Sequence, residues 1–69
     1  ARLTYTETTT PTGHKTLHAD DGKTHYTYDL GHYSVFVTDA YGIGTSIPLA
    51  KPSKTLAKAA IRAHAKENN

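Results

Sequence analysis

The chain has 69 residues, a mass of 7.5 kDa, no Cys, Met or Trp, and a formal net charge of +2. That length holds one domain at most, and the composition excludes a disulfide framework, a Cys-ligated zinc site and a thiol nucleophile. No apolar run nears the ~18 residues of a membrane span, and Ala1-Arg2-Leu3 opens no signal-peptide core, so a cytoplasmic location without a membrane partner is expected. Leu, Ile, Val and Phe number only 11 of the 69 residues, a thin supply for a core. The near-neutral balance and five tyrosines still argue for folding, because disorder normally pairs low hydrophobicity with high net charge.

The first element expected is a strand from about Leu3 to Thr9, returning through the three-residue loop Pro11-Thr12-Gly13. That spacing keeps Leu3 and Tyr5 on one face, opposite Ala19 and its neighbours. Asp21-Gly22 is a tight-turn signal; as a two-residue loop it pairs Asp20 with Lys23, Ala19 with Thr24 and Leu17 with Tyr26. Residues 24–29 and 32–37 alternate apolar and polar on either side of Leu30-Gly31, the pattern of a hairpin. With Leu30-Gly31 as a two-residue loop, Tyr28 faces Tyr33 and Tyr26 faces Val35, so Leu17, Tyr26 and Val35 form one row across three strands. A slip of one residue would put the two apolar sets on opposite faces, so the pattern itself is expected to choose the register. After Asp39, the run Ala40-Tyr41-Gly42-Ile43-Gly44 reads as a turn. Ile43 and Ile47 supply a candidate fifth edge strand that Pro48 would end.

Ser53 is a good N-cap, with Pro52 before it and an unbroken helix-forming run to Glu67 behind it. Leu56, Ala57, Ala60, Ile61, Ala63 and His64 cluster on one side of that helix. Leu56 and Ile61, with Leu49, are expected to seal against Tyr5, Leu17, Tyr26, Val35 and Val37. The fold class expected is therefore α+β: a four-stranded antiparallel β-meander, five-stranded if 43–47 joins, with one C-terminal amphipathic helix packed on one sheet face. A single small domain over 1–69 follows, with the meander at about 3–47, a connector at 48–52 and the helix at about 53–67.

The charge is unevenly spread. Residues 1–50 carry three cations against five carboxylates, whereas residues 51–69 carry five cations against Glu67 alone. Lys54, Lys58, Arg62 and Lys66 recur every fourth residue, with Lys51 just ahead, and a helix face of cations is the footprint of phosphate binding. The segment Pro52-Ser53-Lys54-Thr55-Leu56-Ala57-Lys58-Ala59-Ala60 resembles the start of the last helix of double-stranded RNA-binding domains. That resemblance implies Lys54 and Lys58 as phosphate contacts. Those domains open with a helix, whereas residues 1–19 here read as strands, so the resemblance is confined to this segment. The order of sheet then helix is similar to the three-stranded DNA-binding domains of integrase arms and plant AP2 factors, which read DNA with the sheet. No family is assigned on either ground.

The alternation places a second group of residues on the sheet face away from the helix. His18 is expected opposite His25, a row of His14, Asp29 and His32 beside them, and Phe36 next to His25, with Thr16, Thr27 and Ser34 between. Exposed Phe36 and clustered imidazoles suit a docking or self-association surface that weakens as pH falls through the histidine range. No metal is assigned; were one held, His14, Asp29 and His32 would be its ligands. Ser34, Ser46 and Ser53 lie in no nucleophile motif, and Gly42-Ile43-Gly44 lacks the third glycine of a dinucleotide loop. A non-catalytic protein without a cofactor is expected. The leading expectation is a small nucleic-acid-binding protein using Lys51, Lys54, Lys58, Arg62 and Lys66. The alternative is a protein-interaction module, a homodimer or an accessory protein that binds and inhibits a host protein. It would use His14, His18, His25, His32 and Phe36 on the sheet face, or the Thr-rich N-terminal edge strand, residues 4–10.

Overall fold

The computed structural model describes residues 3–67; residues 1–2 and 68–69 of the expected domain lie outside the described residues. Five antiparallel strands run in sequence order: β1 (Thr4–Thr9), β2 (Lys15–Asp20), β3 (His25–Asp29), β4 (Ser34–Thr38) and β5 (Gly44–Pro48). One helix, α1 (Lys54–Glu67), follows and packs on one face of the sheet. This is the α+β meander expected from the alternation, with the fifth strand present.

The turns decide the registers. Between β1 and β2, Thr10 pairs with His14 around the three-residue loop, and Tyr5 lies opposite Ala19 as the spacing predicts. The next two hairpins differ from expectation by two residues each. At β2–β3 the two-residue loop is Gly22-Lys23, not Asp21-Gly22, and Asp20 pairs with His25. Gly22 has φ +93° and takes the first central position, where a hairpin turn of this kind needs a residue free to adopt positive φ. Asp21 is buried beside it, its Oδ1 accepting hydrogen bonds from the Lys23 and Thr24 amides at 2.9 and 2.7 Å.

At β3–β4 the positive-φ residue Gly31 stands at the third position of the turn Asp29–His32, closed by the His32 amide on the Asp29 carbonyl. Positive φ there alone does not match the twist of a two-residue hairpin. The loop therefore widens to 30–33, and Tyr26 lies opposite Val37 rather than Val35. Both shifts are even, so the paired strand residues keep their faces; Tyr33, expected inward opposite Tyr28, instead lies in the widened loop and is 63% exposed. Only the rows change: Leu17 stands beside Tyr28, and Ala19 beside Tyr26.

The core is the inner face of β2–β4 closed by the helix. Leu17, Ala19, Tyr26, Tyr28, Val35, Val37, Ala57, Ile61 and Ala65 are buried, with Leu3, Tyr5, Leu30, Ile47 and Leu49 packed around them. Two tyrosines fill the space that scarce aliphatics leave. Each finds a partner for its hydroxyl, as burial requires: Tyr28 donates to the His32 carbonyl and Tyr26 hydrogen-bonds Nδ1 of His64, both at 2.9 Å.

The helix is turned about a quarter of a revolution from the expected face. Ala57, Ile61 and Ala65 point at the sheet, whereas Leu56 is 37% exposed and Ala63 is exposed. The physical reason lies in the tyrosines. Small alanines let the helix approach two bulky rings closely, and Lys54 and Lys58 flank this seam with their apolar stems. A wheel centred on the largest side chains places Leu56 inside and misses that arrangement.

Candidate functional site

The fold first decides what the cations do. A four-residue repeat gains about 40° per step on a helix of 3.6 residues per turn, so Lys54, Lys58, Arg62 and Lys66 spread over an arc of about 120° whose first members border the sheet. Lys54 and Lys58 sit at the sheet-facing end of that arc. Lys54 makes an ion pair with Glu7 of β1, and the Lys58 ammonium lies 5.2 Å from the centroid of the Tyr5 ring. The hydrogen bond from Lys54, then its charge, hold the Glu7 carboxyl below its ordinary range. The expected stripe on the far side of the helix is thus divided. Lys51, Arg62 and Lys66 are exposed, and among the described residues they form no ion pair.

The outer face of the sheet, by contrast, is built as the alternation predicts. Its middle row is Thr6, His18, Thr27, Phe36 and Ser46, one residue from each strand. The adjoining row is Thr4, Asp20, His25, Thr38 and Gly44. His18 is not directly opposite His25, because the two-residue shift moves His25 beside Asp20. The two imidazoles still meet diagonally, with ring centroids 5.6 Å apart, within the reach of diagonal pairs on a sheet. His25 Nδ1 lies 3.4 Å from Asp20 Oδ2, and His18 Nε2 lies 3.3 Å from the Thr8 hydroxyl.

Phe36 sits opposite Thr27 rather than beside His25, and it is 51% exposed. Its ring covers Gly44 of β5 so closely that a Cβ there would fall 2.7 Å from Cζ. One face of the ring thus shields an edge-strand glycine, and the other meets solvent. At the opposite end of the sheet, His14, Asp29 and His32 converge, each offering a ligand atom within 4.8 Å of the others. His14 Nε2 lies 3.6 Å from Asp29 Oδ1, which also accepts a 2.9 Å hydrogen bond from the Thr16 hydroxyl.

Four of the five histidines therefore occupy one surface, while His64 faces the other way into the helix–sheet seam. Pattern alone does not reveal Asp20 and Thr8 as partners of these imidazoles, or Thr16 as the partner of the Asp29 carboxylate. Their even numbering along β1 and β2, shared with His18, was the available signal. No protein-family model matches the chain, and comparisons with curated proteins and with solved structures return no match. Among the described residues no helix is long and apolar enough to cross a membrane.

Proposed function

We propose that this protein is a small non-catalytic binding module whose contact surface is the outer face of its sheet and whose partner is a second copy of the chain. The observation that carries this reading is the concentration of His14, His18, His25, His32 and Phe36 on the face that the core leaves uncovered. Hydroxyl donors (Thr6, Thr27), carboxylate acceptors (Asp20, Asp29), imidazoles that do either and a central aromatic give that face both halves of a complementary pair. A surface of that kind can match itself about a two-fold axis.

Its size sets the strength of the contact. Five strands of about five residues make a face roughly 20 Å across and about 17 Å along the strands. The projected area of roughly 350 Å² is below the ~800 Å² per partner of a standard stable interface, so the contact is transient. Light scattering across a concentration series tests the proposal. The expected result at pH 8 is a mass rising toward the dimer, and a monomer in Thr27→Arg once its fold is verified by melting. A monomer at every concentration would overturn it.

A second reading rests on Lys51, Arg62 and Lys66, which stand exposed in a segment of five cations and one carboxylate. Duplex nucleic acid would meet these three, with Lys54 and Lys58 engaged on β1. Binding through three cations loses affinity with salt at a log–log slope no steeper than about −3. A steeper slope, or loss of binding in Lys58→Glu with Arg62→Glu unaffected, would contradict that division of labour.

A further inference from the structure

We infer that His14, Asp29 and His32 form a binding site for one borderline divalent transition metal ion, of which Zn²⁺ is the working probe. The site shares His14, Asp29 and His32 with the proposed contact face but needs only one chain. Three features of the site carry it.

The first is the donor set. Two imidazoles and one carboxylate suit Zn²⁺, Cu²⁺ or Ni²⁺, whereas Mg²⁺ and Ca²⁺ favour all-oxygen shells. Three protein ligands also leave one tetrahedral position for water or a further ligand. The second is spacing. Ligand atoms around a tetrahedral zinc at about 2.0–2.1 Å stand about 3.3 Å from one another. His14 Nε2 and Asp29 Oδ1 are already 3.6 Å apart, and all three ligand atoms lie within 4.8 Å. Closing the remainder takes side-chain rotation alone, since His14 and His32 are exposed.

The third is the support behind each ligand. The backbone of His14 is clamped by Thr10, whose amide donates to the His14 carbonyl at 2.8 Å and whose hydroxyl accepts from the His14 amide at 3.1 Å. The His32 amide donates to the Asp29 carbonyl at 3.1 Å, and the His32 carbonyl accepts from the hydroxyl of buried Tyr28. Asp29 ends β3 opposite Thr16, whose hydroxyl holds its carboxylate. The Thr10 and Tyr28 contacts fix the backbone of the two histidines; Thr16 alone bonds a ligating side chain, and outer partners of that kind commonly change affinity ten- to a hundredfold when removed. Three ligands from two loops and a strand end thus converge with the histidine backbones fixed and the carboxylate held, leaving the two ring rotations to complete the site.

The test is a titration with Zn²⁺ alone, followed by calorimetry and by ¹H–¹⁵N spectra of the histidine rings. The expected result is saturable binding of one ion per chain, undiminished by excess Mg²⁺. The ring nitrogens of His14 and His32 should shift while those of His64 stay. His14→Ala and His32→Ala, both exposed positions with the fold verified by melting, should each lower affinity at least tenfold, and Thr16→Val about tenfold through the freed carboxylate. His18→Ala should leave binding unchanged. Thr27→Arg should keep the metal while abolishing self-association, so failure of either reading is separable from failure of the other. Absence of saturable binding, or equal loss in His18→Ala and His14→Ala, would overturn the inference.

Discussion

Replacing Ile61 by Ala tests how the helix meets the sheet. Ile61 is fully buried and is the only bulky aliphatic side chain that α1 turns into the core among the described residues. Removing three carbons from such a site costs about 2–5 kcal/mol. The alanines around it let the helix settle toward the sheet, which favours the lower half of that range. A chain of this length has a total stability of roughly 3–10 kcal/mol, so the substitution removes a large fraction of it. At about 4–8 °C per kcal/mol for a domain this small, the melting midpoint should fall by roughly 10–20 °C. Leu56→Ala is the companion. Leu56 is 37% exposed, and alanine favours helix slightly more than leucine, so its midpoint should move by less than about 5 °C. Thermal melts followed by circular dichroism at neutral pH read both values. If Leu56→Ala falls as far as Ile61→Ala, the helix faces the sheet with the side that holds Leu56, and the reasoning from small alanines over tyrosine rings is wrong.

Burial, then the charge of Asp21, hold the Tyr26 phenol above 10.0. A group with a raised folded-state value contributes stability that is whole below its unfolded value and is lost as pH rises past it. The melting temperature should therefore drop above about pH 10 in the native chain. Tyr26→Phe should flatten that drop while losing about 1 kcal/mol at pH 7 with the His64 hydrogen bond; an equally steep alkaline drop in the variant would count against the assignment. Glu7 behaves in the opposite sense. Its carboxyl is held below the ordinary 4.5 by Lys54, so the stability it lends is present at neutral pH and fades as pH falls through the lowered value. Melts of Glu7→Gln and the native chain should differ slightly at pH 7 in low salt and coincide in 1 M salt; a difference that persists in salt would mean that Glu7 acts by something other than charge. Gly44→Ala should leave the fold intact but push the Phe36 ring off β5, seen as loss of ring-current shifts at residue 44 and its neighbours.

Much of the fold is legible in local chemistry. The alternation in 24–29 and 32–37 determines which side chains face inward, and that survives the two-residue register shifts because parity is unchanged. The registers themselves are harder to read. They depend on where a positive-φ glycine falls inside each turn, and Asp21-Gly22 and Leu30-Gly31 look alike until Asp21 is seen to be buried. The helix face is hidden from the sequence for a related reason. Large aliphatics usually mark the core, but here the space is already filled by Tyr26 and Tyr28, so alanines occupy the seam. That rotation also draws Lys54 and Lys58 to β1, which no charge count reveals. The histidine face is the opposite case: His18, His25 and Phe36 follow from strand parity, whereas His14 and His32 lie in the flanking loops. Only the partners that orient them, Thr10, Thr16 and Tyr28, required the three-dimensional arrangement.

The proposed contact through the outer sheet face is tested most directly by methyl ¹H–¹³C spectra recorded on dilution at pH 8. The threonine methyls at 6, 16, 27 and 38 should move toward limiting monomer positions together with the Phe36 ring protons. The alanine methyls at 59 and 63, exposed on the helix, should stay where they are. Movement confined to the helix alanines, or no movement at any of these positions, would contradict it.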